Sequence, residues 1–163
     1  MNSSKLKKNI NFYVINDSKI WSRRIQNVKK IINSVLKNKK YFVSNKIENY
    51  NISFLLTNNK TIKKLNTIYR NEKKPTNVLT FTSLEKISKN KDIRHSDIAI
   101  SGNIIKKEAN KLKISFYDHF THIIIHSLLH TNNYRHNSKK NFQKMKKIEI
   151  LLLKKLNINN PYK

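Results

Sequence analysis

The chain has 163 residues, 37% of them hydrophobic, and a formal net charge of +26 from 35 Lys and Arg against 9 Asp and Glu. It has no cysteine, which excludes disulfides and thiolate metal sites and leaves His and carboxylates to build any tight metal site. The charge suits a polyanionic partner such as nucleic acid, although a chain this rich in Asn, Ile and Lys also has the composition that AT-rich codons produce.

Residues 11–15 (NFYVI) are dense in β-branched and aromatic side chains and predict a first strand. Trp21, Ile25, Val28, Ile32, Val35 and Leu36 then recur at mostly three- and four-residue steps, predicting a helix over 21–37 with Asp17 or Ser18 as its cap. Residues 51–57 (NISFLLT) form a short apolar run of strand length, and Ile62, Leu65, Ile68 and Tyr69 mark a helix over 60–70. Strands are expected at 77–81 (NVLTF) and 96–101 (SDIAIS), with the polar, charged stretch 83–94 between them read as a mobile loop.

Helices follow at 103–113, 117–131 and 138–156. In the last of these, Phe142, Met145, Ile148, Leu152 and Leu156 have core spacing and nothing more. The order β-α-β-α-β-β-α-α-α predicts an α+β fold, a small mixed sheet of about four strands with five helices around it, in a single domain spanning 1–163. The N-terminal MNSSKLKKNI lacks the apolar stretch of a signal peptide, and no apolar run approaches the ~20 residues of a membrane span. A cytoplasmic location without membrane attachment is the expectation.

The most informative pattern is His126, His130 and His136 in the order H-x3-H-x5-H. On a helix His126 and His130 lie one turn apart on the same face, about 6 Å between Cβ atoms. The third ligand must come from beyond the helix end. Thr131-Asn132-Asn133 supplies the break, with Asn133 expected to turn left-handed. Three imidazoles leave a fourth tetrahedral position for water, the layout of a catalytic zinc site.

His119 and His122 continue the same stripe, for which the plainer reading is half-buried histidines on an amphipathic helix. His95 is isolated and read as solvent-facing or loop-bound. The spacing also occurs in H-E-x-x-H-x-x-G-x-x-H metalloproteases, but Ser127 stands where the general base belongs and cannot accept a proton at neutral pH.

Taken together these segments resemble the YbeY family of bacterial endoribonucleases, whose histidine motif runs H-G-x-L-H-L-x-G-Y-D-H against H-S-L-L-H-T-N-N-Y-R-H here. The likeness extends to LNTIYRNEKKPTNVLTF (65–81), to SDIAIS, to the His119 and His122 stripe and to the closing NNPY, covering about residues 50–162. It implies one Zn2+ ion on His126, His130 and His136, with Arg70 in the cleft and residues 76–81 as a wall of it. It also implies hydrolysis of single-stranded RNA, with roles in small-subunit rRNA 3′-end maturation and late ribosome quality control. The small ribosomal subunit and its assembly factors are then the expected partners.

Arg70 would bind the scissile phosphate, because a guanidinium matches phosphate oxygens with two parallel hydrogen bonds. Lys73, Lys74, Lys106, Lys107 and Lys111 would line an approach for the RNA backbone. The chain departs from the family pattern where Ser96, Ser127 and Asn133 replace glycines, Lys73 replaces an acidic residue and Arg135 replaces aspartate. Arg135 is the most serious change, since it would oppose a cation or turn outward toward RNA. No carboxylate suggests itself as a general base; only Asp97 matches a motif position. Two alternatives stay open: a ribosome-assembly factor with a mainly structural zinc, and a zincin-like metalloprotease.

Overall fold

The computed structural model describes residues 8–88 and 91–163, so the reading of the extreme N-terminus and the centre of the 83–94 segment lie outside the described residues. Four strands, β1 (Asn9–Asn16), β2 (Ile47–Thr57), β3 (Val78–Lys86) and β4 (Asp92–Ser101), form a mixed sheet in the order β1-β2-β4-β3. β1 and β4 each run parallel to β2, and β3 is antiparallel to β4. Five helices accompany it: α1 (Ile25–Leu36), α2 (Asn59–Arg70), α3 (Gly102–Leu112), α4 (Phe116–Thr131) and α5 (Lys139–Lys155). The α+β class and the element order expected from the sequence are those observed.

Side-chain alternation sets the two faces of the sheet. Tyr50, Ile52, Phe54 and Leu56 of β2 and Ile98 and Ile100 of β4 join the main core, with α1, α4 and α5 supplying Val28, Ile32, Phe120, Ile124, Leu128 and Leu152. Leu79 and Ala99 face the other way and meet Ile62 of α2 in a smaller cluster. α4 is buried along most of its length, which is why its sequence is apolar nearly all round, its histidine stripe apart.

Side-chain caps fix four helix starts. Asn58 accepts from the Lys60 and Thr61 amides at 2.9 and 3.1 Å, Ser101 from Ile104, Ser115 from Asp118 and Ser138 from Asn141. α2 ends on Asn71 in the left-handed region, φ 57°. Buried Asn66 donates to the Lys74 carbonyl at 2.8 Å and pins the loop that leads from Arg70 to β3.

Two expectations need correction. The 83–94 stretch is not loop at its two ends: β3 runs on to Lys86 and β4 begins at Asp92, with Leu84 opposite Arg94 and Lys86 opposite Asp92. Most of these side chains face solvent at the sheet edge, so polar composition is compatible with a strand there. The first helix does not begin at Trp21, which lies in a 3-10 turn, Lys19–Trp21, preceding α1. Trp21 is wholly buried, donates from Nε1 to the Thr57 carbonyl at 2.9 Å, and packs edge-on against Phe116 and Phe120.

Candidate metal centre

His126 and His130 project from the last turns of α4. Beyond it the chain reverses through Asn133 at φ 64°, the left-handed turn expected there, with the Tyr134 amide donating to the Leu129 carbonyl. This returns His136 to the pair. Its ring centroid lies 5.6 Å from that of His126 and 5.0 Å from that of His130, and one nitrogen of each of the three falls within 4.8 Å of the others. The fold thus brings together the three histidines of the H-x3-H-x5-H pattern.

The rings are oriented from behind. His126 Nδ1 donates to Glu149 Oε1 at 2.7 Å, and His130 Nδ1 donates to the Tyr134 carbonyl at 2.9 Å. With both Nδ1 protons committed, the Nε2 lone pairs face each other across 3.1 Å. Two bare acceptors at that distance have no proton to share, which suits a cation between them and the third imidazole. Burial pushes the His130 pKa down to about 4, and the neighbouring His126, His136 and Arg135 push the same way against the hydrogen bond to Tyr134. A neutral imidazole at physiological pH is the form that ligates metal.

Glu149 is the residue the sequence reading missed. It lies on α5, 1% exposed, and accepts from His126, from His122 Nε2 at 3.2 Å and from the Tyr162 hydroxyl. Burial alone would raise its pKa, but hydrogen bonds from His122, His126 and Tyr162 more than offset this and hold it at about 2. Burial and the Glu149 charge together raise the pKa of the Tyr162 phenol. The signal was present in the sequence: Glu149 sits four residues after Met145 and three before Leu152, on the stripe that α5 buries.

The histidines open onto a cleft of about 430 Å³ whose opposite wall is Val78, Thr80 and Thr82, the β3 residues pointing toward α4, together with Arg70, Thr76 and Asn77. Arg70 therefore reaches the same cavity as the histidines, although its helix packs on the other face of the sheet. No Asp or Glu lines the cleft among the described residues. Asp97 faces away, bonded to Ser53 at 2.5 Å. His95 lies on β4 rather than in a loop, its side chain partly exposed and its ring 2.8 Å from Glu85 across the β3–β4 pair.

A family model described as Endoribonuclease YbeY matches residues 13–157. The chain belongs to the YbeY family. Endoribonuclease YbeY of Pelagibacter ubique is 40% identical over 144 residues, covering 86% of this chain and 92% of that protein. Endoribonuclease YbeY of Ehrlichia canis is 42% identical over 111 residues, covering 68% and 70%. A Thermotoga maritima protein solved in solution shares the fold, with a TM-score of 0.53 at 24% identity over 91% of each chain.

Where this chain departs from the YbeY motif, the structure gives local accounts. Ser127 is buried and donates to the Ile123 carbonyl at 2.7 Å, away from the cleft. Arg135 spends Nη1 on the carbonyls of His130 and Tyr134, both at 2.9 Å, neutralising the electron-rich end of α4 while lining the cleft. From the opposite side Arg94, buried on β4, donates to the Thr131 carbonyl at 2.6 Å. Two guanidinium groups therefore hold the helix end from which the histidines project. Among the described residues no helix is long and apolar enough to cross a membrane.

Proposed function

We propose that this chain is a single-domain, zinc-dependent endoribonuclease that cleaves single-stranded RNA in the cytoplasm. Its role would lie in maturing the 3′ end of small-subunit rRNA and in late ribosome quality control, alongside the small subunit and its assembly factors. The observation that carries the reading is the convergence of three imidazoles, two with Nδ1 already committed, on a cleft that also holds Arg70. Membership of the YbeY family, whose relatives bear the name endoribonuclease, supports it.

His126, His130 and His136 are the residues that would hold the ion. When bound, zinc supplies Lewis acidity toward a phosphate oxygen and a water of lowered pKa, which a cleft without a carboxylate base requires. Arg70 binds the scissile phosphate and stays charged as negative charge builds on it. Thr80 and Thr82 place hydroxyl groups along the wall opposite the histidines, where they hydrogen-bond the ribose-phosphate backbone. Glu149 and the Tyr134 carbonyl keep two rings in one tautomer, so that neither reorients when substrate enters.

The test is cleavage of a labelled single-stranded RNA by zinc-loaded protein purified free of other nucleases. His130→Ala should abolish zinc binding and cleavage together, and Arg70→Ala should retain zinc but lose cleavage. Undiminished cleavage by His130→Ala would sink the proposal. A ribosome-assembly factor with a mainly structural zinc is the second reading, favoured by the cleft's lack of a carboxylate and by Arg135 in place of aspartate. It predicts that metal-free His126→Ala still associates with ribosomes. The protease alternative is the weakest, because Ser127 is engaged in the core and nothing in the cleft replaces a general base.

A further inference from the structure

Beside the metal cleft lies a second cavity, about 420 Å³, separated from it by Asn77 and His126, which border both. Its volume falls within the roughly 300–1,000 Å³ of pockets that take small organic ligands. Leu112 and Ile123 give it apolar walls, while Glu108, His119, His122 and Tyr162 supply polar edges. The polar groups form two chains. One is His122 and Tyr162 on Glu149; the other is His119 and Asn77 on Glu108.

Only the second chain puts its carboxylate on the cavity wall: Glu108 borders the cavity, whereas Glu149 is buried behind it. His119 Nε2, buried with 6% of its side chain exposed, meets Glu108 Oε2 at 2.7 Å, and Asn77 Nδ2 donates to the same oxygen at 3.1 Å. Oε1 has one long contact, 3.4 Å to the same amide, and the Glu108 side chain is 36% exposed. The His119 and Asn77 contacts outweigh burial and lower the Glu108 pKa, so the carboxylate stays ionised and can only accept. Asn77, having given its NH2 to Glu108, keeps Oδ1 for a donor. A ligand that fits this cavity brings hydrogen-bond donors to Glu108 and an apolar surface to Leu112 and Ile123, next to the cleft proposed to take a phosphodiester.

We propose that this second cavity is a nucleobase subsite selective for guanine. Oε1 of Glu108, the oxygen left open, accepts from both guanine N1–H and N2–H, and Leu112 and Ile123 supply apolar contact to the ring. Of the four RNA bases only guanine offers two adjacent N–H donors on its Watson–Crick edge. Adenine and cytosine bring one exocyclic amine beside an acceptor that the carboxylate repels, and uracil brings one N–H between two carbonyls. Lys111 on the border adds a cation for a neighbouring phosphate. The inference deepens the proposed RNA cleavage: it names the base held beside the scissile phosphate and rests on that reading for its biological meaning.

The experiment measures binding of the 5′-monophosphates of guanosine, adenosine, cytidine and uridine to the full chain by calorimetry, with and without zinc, in parent and Glu108→Gln proteins. In the parent, guanosine monophosphate should bind at least ten-fold tighter than each of the others, about 1.4 kcal/mol. Glu108→Gln should shrink that ratio below three-fold. Similar affinities for all four in the parent would overturn the proposal, whether or not the variant folds, and so would a ratio that survives in a folded Glu108→Gln. RNA cleavage is scored separately. Guanine selectivity without cleavage would leave the subsite standing and remove the nuclease reading, whereas cleavage without guanine selectivity would do the reverse.

Discussion

Replacing Glu149 by Gln keeps the shape of the side chain and removes its charge. In the parent the carboxylate, 1% exposed, has its pKa lowered from 4.5 to about 2 by donors that Gln serves poorly. Because Gln imitates the protonated acid, this depression corresponds to roughly 3 kcal/mol of folding stability at pH 7. The sign follows from the depressed pKa. Stability from this group is complete above about 4.5, the ordinary value, and is lost as pH falls toward 2, so parent and variant should converge in acid.

The variant also has one acceptor oxygen and no charge to serve the three donors, His126 among them, a change at a metal-orienting group that typically weakens metal binding 10- to 100-fold, about 1.4 to 2.7 kcal/mol. Urea unfolding of metal-free protein at pH 7 and pH 3 measures the first effect, and zinc competition against a chromophoric chelator measures the second. Matching stabilities at pH 7 together with unchanged zinc affinity would refute the role given to Glu149.

The metal-free protein should lose stability as pH drops from about 6.5 toward 4, because the unfolded chain protonates His130 before the fold allows it. The contribution is roughly 2 kcal/mol after allowance for solvent screening, and His130→Gln should flatten that part of a pH series of urea midpoints. Arg94→Met should cost about 2 kcal/mol by orphaning the buried Thr131 carbonyl, read from chemical denaturation, and should weaken zinc binding through the frayed end of α4. Gly102→Ala should destabilise by about 1–3 kcal/mol, because its Cβ would come 2.8 Å from Ile20 Cγ2 and 2.9 Å from Trp21 Cε2; a variant melting at the parental temperature would show that this packing yields.

Local pattern carried most of the fold because each helix has an apolar stripe and four of the five have a side-chain cap, features written in consecutive residues. The pairing of residues 83–86 with 92–95 escaped because its stability comes from the partner strand. The hydrogen bonds that make residues 83–86 a strand are supplied by β4, and their own side chains mostly face water. At the candidate site, the three histidines and Arg70 stand in recognisable sequence patterns. Glu149 and Glu108 do not, since their meaning depends on partners 23 and 11 residues away in sequence on other helices. A carboxylate amid apolar positions, as at Glu149, is the residue type for which burial implies a partner. That rule, applied to α5, would have singled it out.

Tyr162, near the far end of the numbered chain, donates a hydrogen bond from its hydroxyl to the carboxylate that steadies His126. Nicking the chain just past Asn160 would thus strip one of the donors around Glu149 while leaving every histidine in place. Proteolysis there should register as weakened zinc retention before it registers as unfolding, because the site loses a donor while the histidines and the core stay intact.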